Sequence, residues 1–442
     1  MLIGISTCIV VALTAAFFPL GLPILGIILV AISWRNFLKQ CEHKARIEAD
    51  MYSALNKGVT YAGQGDYPNA IKAFDIALDR PPRTLNRFPH IAETYYNRGG
   101  VHYLMGNLFD ALQDYDQAID HKPKYVDALI NRGPVHAEQG NYQAALADYQ
   151  TAMQLMSDLS PDLSIVYHNS GNAYEALGDA ENAIESYSQA IRLNPRYIDA
   201  YTAQGLLYIK LQNYTQAIKH MSHVIQLQQE NAGESPGLAR LEAKREHVFY
   251  HRGNAYFQKG DYADAIKDYT QVIQLNPEVI SAYEYRGIAH CYLGNNQNAL
   301  DDFSHVANSD PSGNTHYNHA IIQSLMGMKK EALASVNEAL NLDENVIPAY
   351  YFRWNLRYDL DNQQIDLEDL QRAEALEMEK INVIYEYDAH GFYQRGLARL
   401  RRGNRQGAIT DMEKVIQVCQ NLQYFTFYQK AEQTLLEIQD ST

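Results

Sequence analysis

Small and apolar side chains recur three or four residues apart between Arg252 and Pro277, and a Gly-Asp pair at Gly260 and Asp261 interrupts them. This spacing predicts two amphipathic helices joined by a turn. Gly260 suits the left-handed backbone that follows a helix, Asp261 can cap the next helix, and Pro277 cannot extend the second one. The stretch is therefore predicted to be a helical hairpin.

The same pattern returns about every 34 residues through the chain after residue 50. Nearly every unit has a small residue at the position of Gly253. We call the residue at this position the crossing residue, because two helix backbones can approach closely there. The ten crossing residues are Gly58, Gly99, Gly133, Gly171, Gly205, Gly253, Gly287, Ala320, Trp354 and Gly396. Since one such hairpin cannot bury its own apolar face, the sequence predicts an all-α stack of about ten hairpins.

The hairpin resembles the tetratricopeptide repeat (TPR). The residues that carry the resemblance are Gly253, Tyr256, Gly260, Tyr262, Ala265, Tyr269, Val272 and Pro277. The resemblance implies a solenoid in the form of a right-handed superhelix of antiparallel helix pairs, whose first helices line a concave, protein-binding side.

Domain boundaries follow from the spacing of the crossing residues. We predict TPR units 1–5 over residues 51–228, an insertion over 229–244, units 6–10 over 245–421 and a C-terminal capping helix over 422–442. Unit 9 is predicted to be degenerate, because Trp354 stands at the crossing position and Asp366 stands where the pattern has alanine.

The beginning of the chain has a different character, because no charged residue and no histidine occurs from Leu2 to Trp34. Such a run is long enough to span a membrane. We predict a membrane anchor over residues 1–38 and a juxtamembrane helix or linker over 39–50. The centre of this run contains Phe17, Phe18, Pro19 and Pro23, and its prolines break a helix. The anchor is therefore predicted to be either a single kinked span or a short helical hairpin.

Trp34 and Arg35 mark the predicted boundary between lipid and water. Basic residues directly after the apolar run favour a cytoplasmic C-terminal side. The sequence therefore predicts an integral membrane protein that contacts lipid through residues 1–38 and holds its repeats on the cytoplasmic side of a thylakoid or plasma membrane.

Composition narrows the classes of partner. The formal net charge of −15 argues against a nucleic-acid partner but leaves a basic peptide possible. The four cysteines form no CxxC pair, and the histidine pairs His220/His223 and His316/His319 have no third ligand fixed by the sequence. No catalytic motif is found. We predict no enzyme activity, no cofactor, no metal site and no small-molecule substrate.

Asparagine stands two residues before the crossing residue in five units: Asn56, Asn97, Asn131, Asn169 and Asn318. A side-chain amide donates and accepts at once, so a row of amides can hold an extended peptide by its backbone. This resembles the asparagine ladder of some peptide-binding TPR superhelices. Tyrosines one residue earlier can add apolar contact: Tyr96, Tyr250, Tyr317 and Tyr393. Local hydrogen bonds and helix packing remain the alternative roles.

Arginine directly precedes the crossing residue in five units: Arg98, Arg132, Arg252, Arg286 and Arg395. In so acidic a chain these arginines are predicted to pair with carboxylates of the adjoining helix. The basic clamp of chaperone-binding TPR domains is absent, because acidic or uncharged residues such as Glu93 and Asp127 occupy its place.

The predicted function is a membrane-anchored TPR scaffold that binds partner proteins, as an assembly factor or accessory subunit of a membrane complex. The repeat style resembles membrane TPR proteins of photosynthetic bacteria and plastids, which implies a photosynthetic complex. Two alternatives stay open: a stable structural subunit of a large membrane complex, and an envelope protein with exported repeats in secretion or cell-wall assembly.

Overall fold

The computed structural model describes residues 24–79, 89–157, 160–231, 238–361, 367–379, 389–422 and 425–440. These residues form 21 α-helices and no strand, which confirms the predicted all-α fold. The chain divides after Asn194 into two compact units, called unit 1 and unit 2 below.

Unit 1 contains four consecutive helical hairpins in the described residues. Its helices are α1 Ile24–Gly63, α2 Tyr67–Leu78, α3 Pro89–Leu104, α4 Leu108–His121, α5 Val126–Glu138, α6 Tyr142–Leu155, α7 Leu163–Ala176 and α8 Ala180–Leu193. Each odd-numbered helix packs against the helix that follows it, and each of α2, α4 and α6 also packs against the next hairpin. This is the packing of a helical solenoid.

Unit 2 contains six hairpins and a final helix. Its helices are α9 Ile198–Lys210, α10 Tyr214–Asn231, α11 Leu238–Lys259, α12 Tyr262–Leu275, α13 Ile280–Tyr292, α14 Asn296–Ser309, α15 Gly313–Leu325, α16 Lys329–Leu342, α17 Ile347–Asp361, α18 Glu368–Glu379, α19 Ala389–Arg401, α20 Arg405–Leu422 and α21 Phe425–Asp440. In both units we call the first helix of a hairpin its A helix and the second its B helix.

The crossing glycines lie where the two helices of a hairpin approach most closely. A Cβ atom built on Gly253 would lie 3.0 Å from Cε1 of Tyr269, and one built on Gly287 would lie 3.1 Å from Cε2 of Phe303. Larger side chains would force the helices apart, because these rings are held in a close-packed interior. The predicted close crossing is confirmed.

The turn between the two helices also follows the prediction. Gly260 has a φ of 88°, in the left-handed region that glycine adopts without strain. At the corresponding turn of the fifth hairpin the residue is Gln212, which has a φ of 57°. Gln212 is the one described residue other than glycine with a positive φ, so this turn carries a conformational cost that its counterparts avoid.

Arginine–aspartate pairs join the helices of a hairpin, as the sequence predicts. Each arginine donates to an aspartate sixteen residues later: Arg98 to Asp114, Arg132 to Asp148, Arg252 to Asp268, Arg286 to Asp302, Arg353 to Asp369 and Arg395 to Asp411. Arg98 is typical, because its Nη2 lies 2.6 Å from Oδ1 of Asp114, which is 2% exposed. Its Nη1 donates to Asp75 of the preceding B helix at 2.5 Å. The pair therefore also ties successive hairpins together.

The ninth hairpin keeps this frame despite its unusual crossing residue. Arg353 reaches Asp369 as in the regular hairpins, a pair that the sequence analysis missed. Trp354 is only 3% exposed, and α17 packs more extensively against α19 than against its own partner α18. The bulk of the indole explains this arrangement, since it prevents the close crossing that glycine permits.

The predicted integral-membrane location is wrong. In the described residues, no helix is long and apolar enough to cross a membrane. Within the described residues, the part of α1 before its first charge at Arg35 is about 16 Å long, against the roughly 30 Å of a hydrocarbon core. The helix then continues through residues 39–50 into the first hairpin.

The predicted anchor residues are placed as follows. Phe17, Phe18, Pro19 and Pro23 lie outside the described residues. Trp34 lies within α1 and stacks on Phe37 with a centroid distance of 5.5 Å, while Arg35 is exposed.

Candidate partner-binding surfaces

Consecutive A helices touch through two recurring contacts. In the first contact, the residue three positions before the crossing residue of one A helix meets the residue two positions before the crossing residue of the next A helix, as Tyr96 meets Asn131. In the second contact, the residue four positions after the crossing residue of one A helix meets the residue five positions after the crossing residue of the next A helix, as Tyr103 meets Glu138. We call the surface formed by these four positions on the A helices of a unit its A face. All the sequence-predicted partner-binding residues belong to it.

In unit 1 the amides of the A face are half-buried or exposed. Asn56 is exposed, and Asn97, Asn131 and Asn169 are half-buried. The side chain of Asn97 donates to the carbonyl of Glu93 in its own helix at 2.8 Å, whereas that of Asn131 donates to Oη of Tyr96 at 2.9 Å. Local hydrogen bonds, the alternative role named in the sequence analysis, thus engage one amide donor of Asn97 and one of Asn131. Partner binding by these amides stays a prediction.

Carboxylates surround these amides. Asp127 and Asp162 are exposed and lie close enough to Tyr96 to affect its titration. Burial raises the pKa of Tyr96, the charge of Asp127 raises it further, the bond from Asn131 lowers it, and Asp162 adds a smaller increase. The hydroxyl of Tyr103 donates to Oε1 of Glu138 at 2.5 Å. The A face of unit 1 is thus polar and negatively charged.

In the sixth and seventh hairpins the same positions hold aromatic rings. Tyr250 contacts Tyr285 with a centroid distance of 6.4 Å, and Phe257 contacts Tyr292 at 5.8 Å. These are the two recurring A-face contacts, made here by ring edges. Tyr250 accordingly lies within a half-buried aromatic cluster instead of beside a row of amides.

In the eighth to tenth hairpins the A face is closed by a buried hydrogen-bond network. Arg401 Nη1 donates to Oδ1 of Asn355, Asn355 Nδ2 donates to Oε1 of Gln394, and Gln394 Nε2 donates to Nε2 of His390, each at 2.9 Å. His390 therefore carries its hydrogen on Nδ1, which donates to Oη of Tyr317 at 2.7 Å. The network links α15, α17 and α19.

This network decides the role of the predicted residues near it. Tyr317 is 4% exposed, so it packs and hydrogen-bonds within the fold. Asn318 and Tyr393 remain half-buried. Burial lowers the pKa of His390 to about 3, with a smaller contribution from Lys430, so the imidazole is neutral at pH 7. Sequence reasoning missed His390 and Asn355. Each bonds to a residue of another hairpin, and such a contact leaves no fixed spacing in the sequence.

Tetratricopeptide repeat family models match residues 92–125, 125–196, 168–232 and 248–279. The chain contains tetratricopeptide repeats. These matches cover the second to sixth hairpins, all of which have a crossing glycine. The Arg–Asp pair is present in the second, third and sixth, whereas Ser170 and Gln204 replace the arginine in the fourth and fifth.

Several curated relatives are named as tetratricopeptide repeat proteins. Tetratricopeptide repeat protein 6 of Homo sapiens is 28% identical over 194 residues, which cover 43% of this chain and 35% of that protein. Hsp70-Hsp90 organizing protein 2 of Arabidopsis thaliana is 24% identical over 283 residues, which cover 62% of this chain and 43% of that protein. The chain thus spans less than half the length of either relative.

A solved structure shows a related arrangement of helices. The C-terminal part of a TPR repeat-containing protein from Cytophaga hutchinsonii has 18% identity and a TM-score of 0.49, covering 57% of this chain and 97% of that one. The family models support the repeats alone, so the predicted resemblance to photosynthetic membrane TPR proteins is not supported.

Proposed function

We propose that this TPR chain is a protein-binding scaffold that holds an extended segment of a partner on the A face of unit 1. The observation that carries the proposal is the row of amides on four successive A helices: Asn56, Asn97, Asn131 and Asn169. Their carbonyl oxygens can accept from the backbone N–H groups of an extended chain, and repeat stacking supplies a long surface for it. The A face of hairpins 8–10 offers no comparable row, because its polar groups bond to one another.

In a cell, such a scaffold acts as an assembly factor or an accessory subunit of a protein complex. The two roles differ in how long the partner stays bound. A permanent subunit copurifies in a fixed ratio to its partners, whereas an assembly factor is recovered at much lower and variable ratios.

Affinity purification from the native source tests the proposal. The test variant replaces Asn56, Asn131 and Asn169 by alanine. The matched control replaces three exposed glutamines of the B helices of unit 1, Gln113, Gln143 and Gln150, by alanine, so that the same number of amides is lost elsewhere. We expect the test variant to lose the partner proteins that the native chain and the control recover at the same thermal stability. Equal recovery by both variants would refute binding through the amides.

A further inference from the structure

We propose that the partner segment held by the A face of unit 1 is basic, with lysine or arginine side chains along an extended backbone. This inference rests on the proposed function and names the chemical class of its partner. Two independent features carry it: the distribution of charge on this face and an unsatisfied hydroxyl beneath it.

No lysine or arginine occupies an A-face position of α1, α3, α5 or α7. Four exposed carboxylates lie on or beside the face, at Glu93, Asp127, Glu138 and Asp162. The arginines of α3 and α5 are engaged elsewhere, since Arg98 and Arg132 are each bonded to two aspartates.

Two lysines lie beside this face: Lys57 directly follows Asn56 in α1, and Lys122 lies in the turn after α4. The Nζ atom of Lys122 lies 4.0 Å from the ring centroid of Tyr125. These two lysines do not offset the four exposed carboxylates of Glu93, Asp127, Glu138 and Asp162. A cationic segment therefore meets an attractive field along the face, whereas an acidic segment is repelled.

The second feature is the hydroxyl of Tyr115, which is buried and has no acceptor for its hydrogen among the described residues, since its neighbour Asn131 acts on it only as a donor. The corresponding hydroxyls of Tyr187 and Tyr269 each lie 2.8 Å from an asparagine Oδ1, of Asn172 and Asn254, one residue after the crossing glycine. In the second hairpin that place is Gly100. Outside the backbone of its own helix, a Cβ built there would have Oη of Tyr115 as its sole neighbour within 4 Å, at 3.6 Å.

Gly100 thus leaves a gap at the A face where two other hairpins place a side-chain carbonyl. A backbone carbonyl of a bound segment supplies the same group and accepts from Tyr115, which removes the cost of an unpaired buried donor. The carboxylates then receive the cationic side chains of that segment. An extended basic chain satisfies both features at once.

The binding test uses a fluorescent peptide of alternating lysine and serine, with a glutamate–serine peptide of equal length as comparison, and the full chain. We expect the lysine peptide alone to raise fluorescence anisotropy on titration. Affinity should fall about tenfold between about 50 mM and about 300 mM salt, because exposed charges are screened. Equal affinity for the two peptides would overturn the inference.

Charge variants then separate this face from the general negative charge of the chain. The test variant carries Glu93→Gln, Asp127→Asn and Glu138→Gln. The control removes the same charge from the B helices through Asp120→Asn, Glu181→Gln and Glu185→Gln, at three exposed positions. We expect at least about a tenfold loss of affinity in the test variant and under about twofold in the control. Equal losses would overturn the inference.

Gly100→Asn gives a second test that does not depend on weakening the fold. The new side chain occupies the gap and offers its own carbonyl to Tyr115, so we expect a more stable protein that binds the lysine peptide more weakly. Unchanged peptide affinity in this stabilised variant would contradict the role of the gap. If the amide variant loses its native partner while the carboxylate variant keeps it, this inference fails and the proposed function stands. If the amide variant keeps its partner, the proposed function fails.

Discussion

The A face is used in two different ways within this chain. In unit 1, Asn131 and Tyr96 form a hydrogen bond at a half-buried surface with exposed carboxylates nearby. In hairpins 8–10 of unit 2, the equivalent positions hold Tyr317 and Gln394, which are buried and bonded into a network through His390. One repeat frame therefore supports an open polar surface in unit 1 and a sealed interior in unit 2.

The difference starts at the crossing residue. Glycine at Gly99 or Gly133 allows the A helix to approach its own B helix closely. Trp354 blocks that approach in the ninth hairpin, and α17 packs instead on α19, where Asn355 meets Gln394. A single bulky residue thus exchanges packing within a hairpin for packing between A helices.

The largest expected effect is the loss of stability when the aspartate of an Arg–Asp pair is removed, and this loss should differ between the two units. Asp411 is fully buried and accepts from both Arg395 and Arg399, so Asp411→Ala leaves two guanidinium groups without this carboxylate and should cost about 3–5 kcal/mol. Asp114→Ala should cost less, because Asp114 accepts from one arginine only among the described residues, whereas Arg98 and Arg395 each keep a second carboxylate, Asp75 and Glu377. Hydrogen exchange of α20 and α4 measures the two local opening free energies. A larger loss at α4 would contradict the account.

The next effect is acid weakening of the sealed interior. His390 has a folded-state pKa near 3 and an unfolded value near 6.5, so the unfolded state binds the extra proton between these values. Its contribution to stability is complete above about pH 6.5 and is lost as the pH falls, by about 2 kcal/mol at about pH 5. Exchange of α19 measured at both pH values tests this. His390→Gln should remove that share of the pH dependence.

These effects show what the sequence alone can and cannot predict. The hairpins, the crossing glycines and the Arg–Asp pairs follow from periodicity, because each depends on residues at fixed spacing such as Arg98 and Asp114. The bond from His390 to Tyr317 joins residues in different hairpins, so no local spacing reveals it. The apolar run before Arg35 suggested a membrane span that no described helix supports.

A stabilising change is expected in unit 1. Gly100→Asn should give Tyr115 the partner that Asn172 gives Tyr187, and should also remove a glycine from a helix interior. Together these should add about 1–2 kcal/mol to the free energy of unfolding. Gly100→Ala separates the two contributions, since it supplies only the helix preference. If the free energy of unfolding rises as much in the alanine variant as in the asparagine variant, a hydrogen-bond partner for the hydroxyl of Tyr115 adds no stability and this prediction is wrong.

The smallest effect concerns the turn between the A helix and the B helix of a hairpin. The left-handed residue of this turn is glutamine in one hairpin of unit 2 and glycine at the equivalent turn of unit 1. Gln212→Gly in unit 2 should stabilise by about 0.5–1 kcal/mol, because it relieves a left-handed backbone at φ 57°. Gly178→Gln at the equivalent turn of unit 1 should destabilise by about 1 kcal/mol, since Gly178 has a φ of 78°. Chemical denaturation of both variants reports the two signs. Equal signs would contradict this assignment of strain.

Hydroxyl-radical footprinting of the unmodified chain tests most directly whether the A face is open in unit 1 and sealed in hairpins 8–10. Tyrosine oxidation rates, read residue by residue with mass spectrometry, should be clearly higher for Tyr96 and Tyr103, which are half-buried, than for Tyr317 and Tyr351, which are at most 4% exposed. Tyr317 oxidised as fast as Tyr96 in the folded protein would contradict the distinction between the two faces.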